Sequence, residues 1–393
     1  MLSFLHRKEK VWLSRIWSFQ ALDTLFFRDG TPFNMNEPVA MLKSVFPPSM
    51  MTLQGAIRTA MAYYRLGWTS DNSIPWPKEL GDAGESELKD WGKPDYLGDL
   101  RLFGPYLMWK GERLYPSPRI LYRKRKEDED WVYARFTLGK VVEASDLGSG
   151  IRFPLAENAI DKGEALEVWL TSAGMEAVLS GDVPSPEHMF NPSDGWKLEH
   201  RVGIKRSDLT RTAVEGHLYS IALTRPRPEL EVVVRVEGLD ESWHPMGTQI
   251  VPLGGEGRFA KVTVTEELTP ELPRMPEVAT TKEGIIRFTV SLLTPGTYID
   301  MDQAVRNGPP EVKEICPSAQ CISASLGKAN QIGGRNMVKN WPRDLFPVLP
   351  AGGTWFFEGK IEDLPKLNLL HGALTGELKS YGFGQVVIGT WQE

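Results

Sequence analysis

At 393 residues the chain exceeds the length at which a single hydrophobic core usually stops growing, and with 41% hydrophobic and 24% charged residues its composition excludes intrinsic disorder. Its 37 glycines and 29 prolines imply many turns between short elements and argue against a helical bundle. Lys and Arg number 45 against 51 Asp and Glu, a formal charge of −6, so no global field draws the molecule to nucleic acid or anionic lipid, and any polyanion site must be local.

In chain order, Arg15 to Phe27 (RIWSFQALDTLFF) reads as a core strand closed by the turn RDGTPF at Arg28 to Phe33. After Phe46-Pro47-Pro48, Ser49 and Thr52 offer caps for a helix through MMTLQGAIRTAMAYYRL, stopped by Gly67. Thr69 to Asp99 lacks apolar periodicity and reads as an excursion away from the core. RILYRKRKEDEDWVYARFTL then suggests an extended hairpin whose tip carries Glu127 to Asp130, and Leu166 to Ser180 a strand running into a short helix. GHLYSIALTR, LEVVVRVEGL and GGEGRFAKVTV are strand-like and are expected to return to the first sheet. Glu266 to Glu283, rich in Pro and Glu, is the linker candidate, with a boundary near residue 276; a second strand-rich half follows. Two β-rich halves, the first opening strand, loop, helix, are compatible with two ferredoxin-like units.

The chemistry is sparse. Cys316 and Cys321 are too few for a disulfide framework or a four-cysteine zinc site, which fits a reducing cytoplasm. No stretch of 18 apolar residues occurs, so no membrane partner is expected. The six histidines form no HxH or HExxH pair, and no cofactor or metal is expected. His217 alone could serve as a general base. Glycine-rich turns occur at Gly254-Gly255-Glu256-Gly257-Arg258, Gly333-Gly334-Arg335-Asn336 and Gly382-Phe383-Gly384, none of them a Walker loop or a dinucleotide fingerprint. Glycine lets a backbone approach phosphates, and Arg258 or Arg335 beside it could add a charge-assisted contact. The stretch from Lys43 to Arg58 joins helix-start amides, the hydroxyls of Ser49 and Thr52, and flanking cations in what reads as a phosphate cradle.

Seven segments, in order, resemble one known family: DTLFFRDGTPF (Asp23 to Phe33), FPPSMMTLQGAIR (Phe46 to Arg58), GIKRSDLTRTAVEGHLYS (Gly203 to Ser220), GGEGRFAKV (Gly254 to Val262), IGGRN (Ile332 to Asn336), VLPAGGTWFF (Val348 to Phe357) and GFGQVVIGTW (Gly382 to Trp391). The family is that of the third subunits of the Cmr complex, the type III-B CRISPR RNA-targeting effector, within the RAMP superfamily. The resemblance implies two ferredoxin-like (RRM-type) domains; with the linker and hairpin read above, the expected α+β fold divides into residues 1–275, with insertions at about 69–215 and a β-hairpin excursion, and residues 276–393. It also implies a non-catalytic subunit that binds the 5′ tag of the crRNA and contacts the large palm-domain Cmr subunit and the first backbone Cmr subunit. Two departures stand out: Arg335 where an aromatic residue is expected beside the paired glycines, and an unusually basic Pro116 to Lys126.

A single-stranded tag is held by splaying its bases over aromatic side chains while cations track its phosphates. The expected phosphate partners are Arg28, Lys43, Arg58, Arg258, Arg335 and Lys339, with close backbone approach at Gly55, Gly255, Gly333 and Gly334. Base edges fall to Ser49, Thr52, Gln54 and Asn336, and stacking to Phe46, Trp341 or Phe383; the basic hairpin from Arg119 to Lys126 could reach along the guide. Two rival readings remain open at this level: a metal-independent RAMP endoribonuclease that uses His217, and a scaffold without RNA contact.

Overall fold

A computed structural model describes residues 14–28, 41–82, 94–125, 131–143, 150–156, 163–207, 209–266, 272–336 and 341–392. Strand β1 (Arg15–Ala21) alternates, with Trp17 and Phe19 inward and Ser18 and Gln20 on the opposite face. Helix α1 (Met50–Leu66) presents Met50, Leu53, Ile57 and Met61 at spacings of three and four residues, each at most 2% exposed, so one apolar stripe docks on the inward face of β1. The helix ends where expected, at Gly67 with φ 70°, whose N–H bonds the Tyr63 carbonyl at 2.7 Å. Its start differs from expectation. Ser49 occupies the cap position, but its side chain makes no capping bond; only its carbonyl accepts, from Thr52 and Leu53.

Strands β2 (Arg101–Trp109), β3 (Leu230–Glu237) and β4 (Phe259–Glu266) complete the layer under α1 in the antiparallel order β4-β1-β3-β2, the centre of an eight-stranded sheet. Val232, Val234 and Val236 of β3 and Ala260 and Val262 of β4 fill the same core as the helix. The second half repeats the arrangement. It runs β5 (Ile285–Leu292), α2 (Met301–Asn307), α3 (Pro310–Ile315), β6 (Gln320–Ser325), β7 (Thr354–Lys360) and β8 (Val386–Thr390), in the antiparallel order β8-β5-β7-β6. There Phe288 and Phe357 stack at 5.2 Å between ring centres inside a core shared with Trp355 and Ile388. The chain is thus a strand-rich mixed α+β protein.

Two expectations are corrected. The described parts of the segment 69–99 do not depart from the core, because Leu80 and Leu97 are buried in the first core together with Leu100. Ala213–Pro226 does not return to the first sheet; it pairs with Trp196–Arg206 and Met41–Lys43 in a separate three-stranded sheet. Strand propensity carries no record of which partner a strand finds, which explains the difference. The expected hairpin is present as Leu121–Arg125 against Trp131–Val142, and its charged tip lies outside the described residues. The expected helix after Leu166 is Ser172–Leu179, capped by the Thr171 hydroxyl.

The halves share interior. Val348, Tyr381 and Phe383 are buried in the core that α1 covers, and a third cluster joins Tyr115, Leu170 and Met175 to Ile322, Phe356 and Trp391. Among the described residues, no helix is long and apolar enough to cross a membrane.

Candidate functional site

The segment that leaves β1 gathers the first group of expected contacts. The Phe26 carbonyl accepts the N–H of Gly255 at 2.9 Å, and a side chain at Gly254, whose φ is 80°, would strike that same carbonyl, so this approach requires glycine. Phe27 donates its N–H to Ser44 Oγ at 3.1 Å, and a bridge pairs Arg28 with Ser44, next to Lys43. Arg28, Lys43, Gly255 and Arg258 therefore surround one short segment at the end of β1; Arg28 and Lys43 are exposed.

Beside them lies a charged network. Asp23 accepts from Arg225 at 2.7 Å, stands 3.5 Å from Arg258 and is 3.8 Å from Arg201, while Glu199 holds Arg201 and Arg225 at 2.6 Å each. The hydrogen bond from Arg225 is the main reason that the Asp23 carboxyl titrates below its ordinary value. Arg201 and Arg225 thus occupy the local carboxylates, and the buried Nε of Arg258 makes no hydrogen bond.

At the start of α1, Ser49, Thr52 and Gly55 are half-buried, and open space lies where a Gly55 side chain would be. Arg58 and Gln54 correct the expectation. Arg58 is 4% exposed and spends its guanidinium on the carbonyls of Leu80 and Asp82, on Gln54 Oε1 at 2.8 Å and on Asp95 at 3.0 Å. Gln54, 5% exposed, donates in turn to the Met51 carbonyl. Both side chains are internal supports, closed to phosphate and base edges.

The glycine-rich loop of the second half forms a second group. Arg343 donates its N–H to the Gly334 carbonyl at 2.9 Å and its guanidinium to Asp95 at 2.7 Å, and the Tyr381 hydroxyl bonds the Asp95 carbonyl at 2.8 Å. Asp95 so ties this loop to α1. Gly333 packs against the Leu345 side chain, and Arg335 is exposed, its backbone paired with Pro342. Asn336 is 2% exposed, which withdraws it from base-edge contact. Lys339 lies outside the described residues.

Of the expected stacking groups, Phe383 is a core residue, Phe46 is half-buried 4.8 Å from the Trp196 ring, and Trp341 is exposed. The basic hairpin is partly neutralised: Arg123 pairs with Glu164 at 2.7 Å and lies over Trp131, and Arg119 faces Glu167 at 3.6 Å. Lys126 and the side chain of His217 are outside the described part. Phe259, 46% exposed directly after Arg258, was not singled out by the sequence, because an aromatic residue opening a strand reads as ordinary core. Among the described residues no group of three His, Cys, Asp or Glu is placed to hold a metal. The arrangement offers cations, loop amides and exposed rings, which is equipment for holding a polyanion.

The family described as CRISPR-associated protein (Cas_Cmr3) matches the sequence over residues 17–391. Among solved structures, a chain of the type III-B Cmr-beta complex bound to cognate target RNA is 15% identical, with a TM-score of 0.49 and coverage of 95% of this chain and 96% of that one. A chain of the same kind of complex bound to cognate target RNA and AMPPnP, in its state 1, is 15% identical at a TM-score of 0.46, covering 91% and 88%. No curated protein matches.

Proposed function

The chain belongs to the Cas_Cmr3 family of CRISPR-associated proteins, and from that premise we propose that it is a non-catalytic, crRNA-binding subunit of a type III-B Cmr effector. It holds the 5′ tag of the guide and docks the large palm-domain subunit and the first backbone subunit, in the cytoplasm. The family match, which spans nearly the whole chain, is the observation that carries this reading. The exposed cations Arg28 and Lys43, the partly exposed Arg258 and the exposed Arg335 support it as phosphate partners, with Gly255, Gly333 and Gly334 bringing backbone close and Ser49, Thr52 and Gly55 at the helix start.

We read the two halves as ferredoxin-like domains meeting near residue 276. In support, each half runs through four antiparallel strands whose order across the sheet is fourth, first, third, second, with helix between the first two. The test is crosslinking in an assembled complex whose guide carries photoreactive nucleotides in its 5′ tag. Adducts to the segments around Arg28, Lys43 and Arg258 are expected. If no nucleotide of the guide reaches this chain, the subunit is a scaffold; if the isolated wild-type chain cuts repeat RNA and His217→Ala abolishes the cutting, it is a nuclease.

A further inference from the structure

We infer that the cleft between Leu22, Ile250 and Phe259 is a subsite for one unstacked nucleotide of the guide RNA, with the base on Phe259 and Ile250 and the phosphate on Arg258. The inference rests on the RNA-binding reading above and names a place and residues for it. The cleft measures about 390 Å³ and is lined by Leu22, Asp23, Thr24, Ile250, Gly257, Arg258 and Phe259. That volume is at the small end of the range for small-ligand sites, roughly 300–1,000 Å³.

Three large apolar side chains stand open together here. Leu22 is 53%, Ile250 66% and Phe259 46% exposed, and the Leu22 N–H reaches the Phe259 carbonyl at 3.4 Å, so they form one surface. Ile250 and Phe259 come from adjacent paired strands: Ile250 faces Lys261, two residues beyond Phe259, and Pro252 faces Phe259 itself. The polar wall suits an anion. The Arg258 side chain is 20% exposed and its terminal nitrogens make only a 3.5 Å contact, to Asp23, and Arg225 and Arg201 already engage that carboxylate, which weakens its repulsion of a phosphate. Gly257, with φ 62°, has nothing within 4 Å of where a side chain would stand, so its backbone is open to the cleft. A flat exposed ring beside an arginine with spare donors is the pairing that holds single-stranded nucleic acid without regard to base identity. An apolar anchor from a neighbouring protein would use the apolar side chains but not the guanidinium and the open backbone.

The test uses the full complex, with a photoreactive nucleotide placed singly at successive positions from the guide 5′ end. One position is expected to crosslink to the peptide Thr248–Ala260. Phe259→Ala is expected to abolish that adduct and weaken guide retention about tenfold, Phe259→Tyr to preserve both, and Arg258→Ala to weaken retention more at low salt than at high salt. Because Phe259 is half exposed, its truncation spares the core, and Phe259→Tyr controls for folding. Adducts elsewhere on this chain with none to Thr248–Ala260 would overturn the subsite while leaving the RNA reading intact, whereas no adduct anywhere on the chain would overturn both. Loss of a neighbouring subunit on Phe259→Ala, with the guide adduct unchanged, would also overturn the subsite by making the cleft a protein contact.

Discussion

Asp95 and Arg343, 248 residues apart in sequence, meet at 2.7 Å with side chains 11% and 7% exposed, and the second oxygen of the same carboxylate holds Arg58. One largely enclosed anion therefore serves two cations from opposite halves of the chain, buried Arg58 and part-buried Arg343.

Asp95→Asn keeps the shape and removes the charge, leaving both guanidinium groups uncompensated, and is expected to cost about 3–5 kcal/mol in urea unfolding. Arg58→Glu is expected to impair guide binding equally at low and high salt, because it acts through folding. A loss confined to low salt would instead return Arg58 to the RNA.

Trp17 donates its indole N–H to Nδ1 of His244 at 3.1 Å, so that nitrogen must be unprotonated. Burial, and after it the nearby Arg15 charge, pushes the imidazole down from 6.5 to about 4. Above pH 6.5 the ring is neutral folded and unfolded, and stability is unaffected by its titration. As pH falls from 6.5 to 4 the unfolded chain takes up a proton that the folded one refuses, so stability drops by about 1.4 kcal/mol per unit, roughly 3 kcal/mol in all, and then levels. Half-buried His371 is shifted the same way, chiefly by desolvation, and adds to this acid loss. His244→Gln is expected to be flatter than the wild type between pH 7 and 5; an unchanged slope in urea titrations would refute the assignment.

Lys43→Ala removes one exposed cation beside Arg28. The fold should be unaffected in thermal melts, and guide affinity in the complex should fall, with the slope of log K against log salt shallower by about 0.7, the value for one contact to a single strand. An unaltered slope would take Lys43 off the phosphates.

Gly254 and Gly257 share one loop and both have positive φ, 80° and 62°, but only Gly254 abuts backbone. Gly257→Ala should cost about 1 kcal/mol of backbone strain, and Gly254→Ala distinctly more, because the Phe26 carbonyl must also move. Equal melting temperatures for the two variants would contradict the close approach.

Much of this was legible in the sequence for physical reasons. The apolar spacing of Met50, Leu53, Ile57 and Met61 and the stop at Gly67 are local signals, and α1 follows from them. The glycines of the GGEGR turn read as room for a phosphate, whereas in the fold Gly254 makes its close approach to the backbone of Phe26. What escaped was pairing at a distance. A cation next to a helix start looks the same in sequence whether it meets phosphate or Asp95, 37 residues further on, and only the fold separated Arg58 from Lys43. Likewise nothing local told Ala213–Pro226 to join Met41–Lys43 rather than β1.

Tyr381 and Phe383 sit in the interior that α1 roofs although they belong to the second half described above. That interior therefore cannot close until synthesis has passed Phe383, so the portion that carries α1 emerges with an unfilled socket. Severed between the halves and mixed, the two pieces should recover one cooperative melt through mutual complementation, and neither should display it alone.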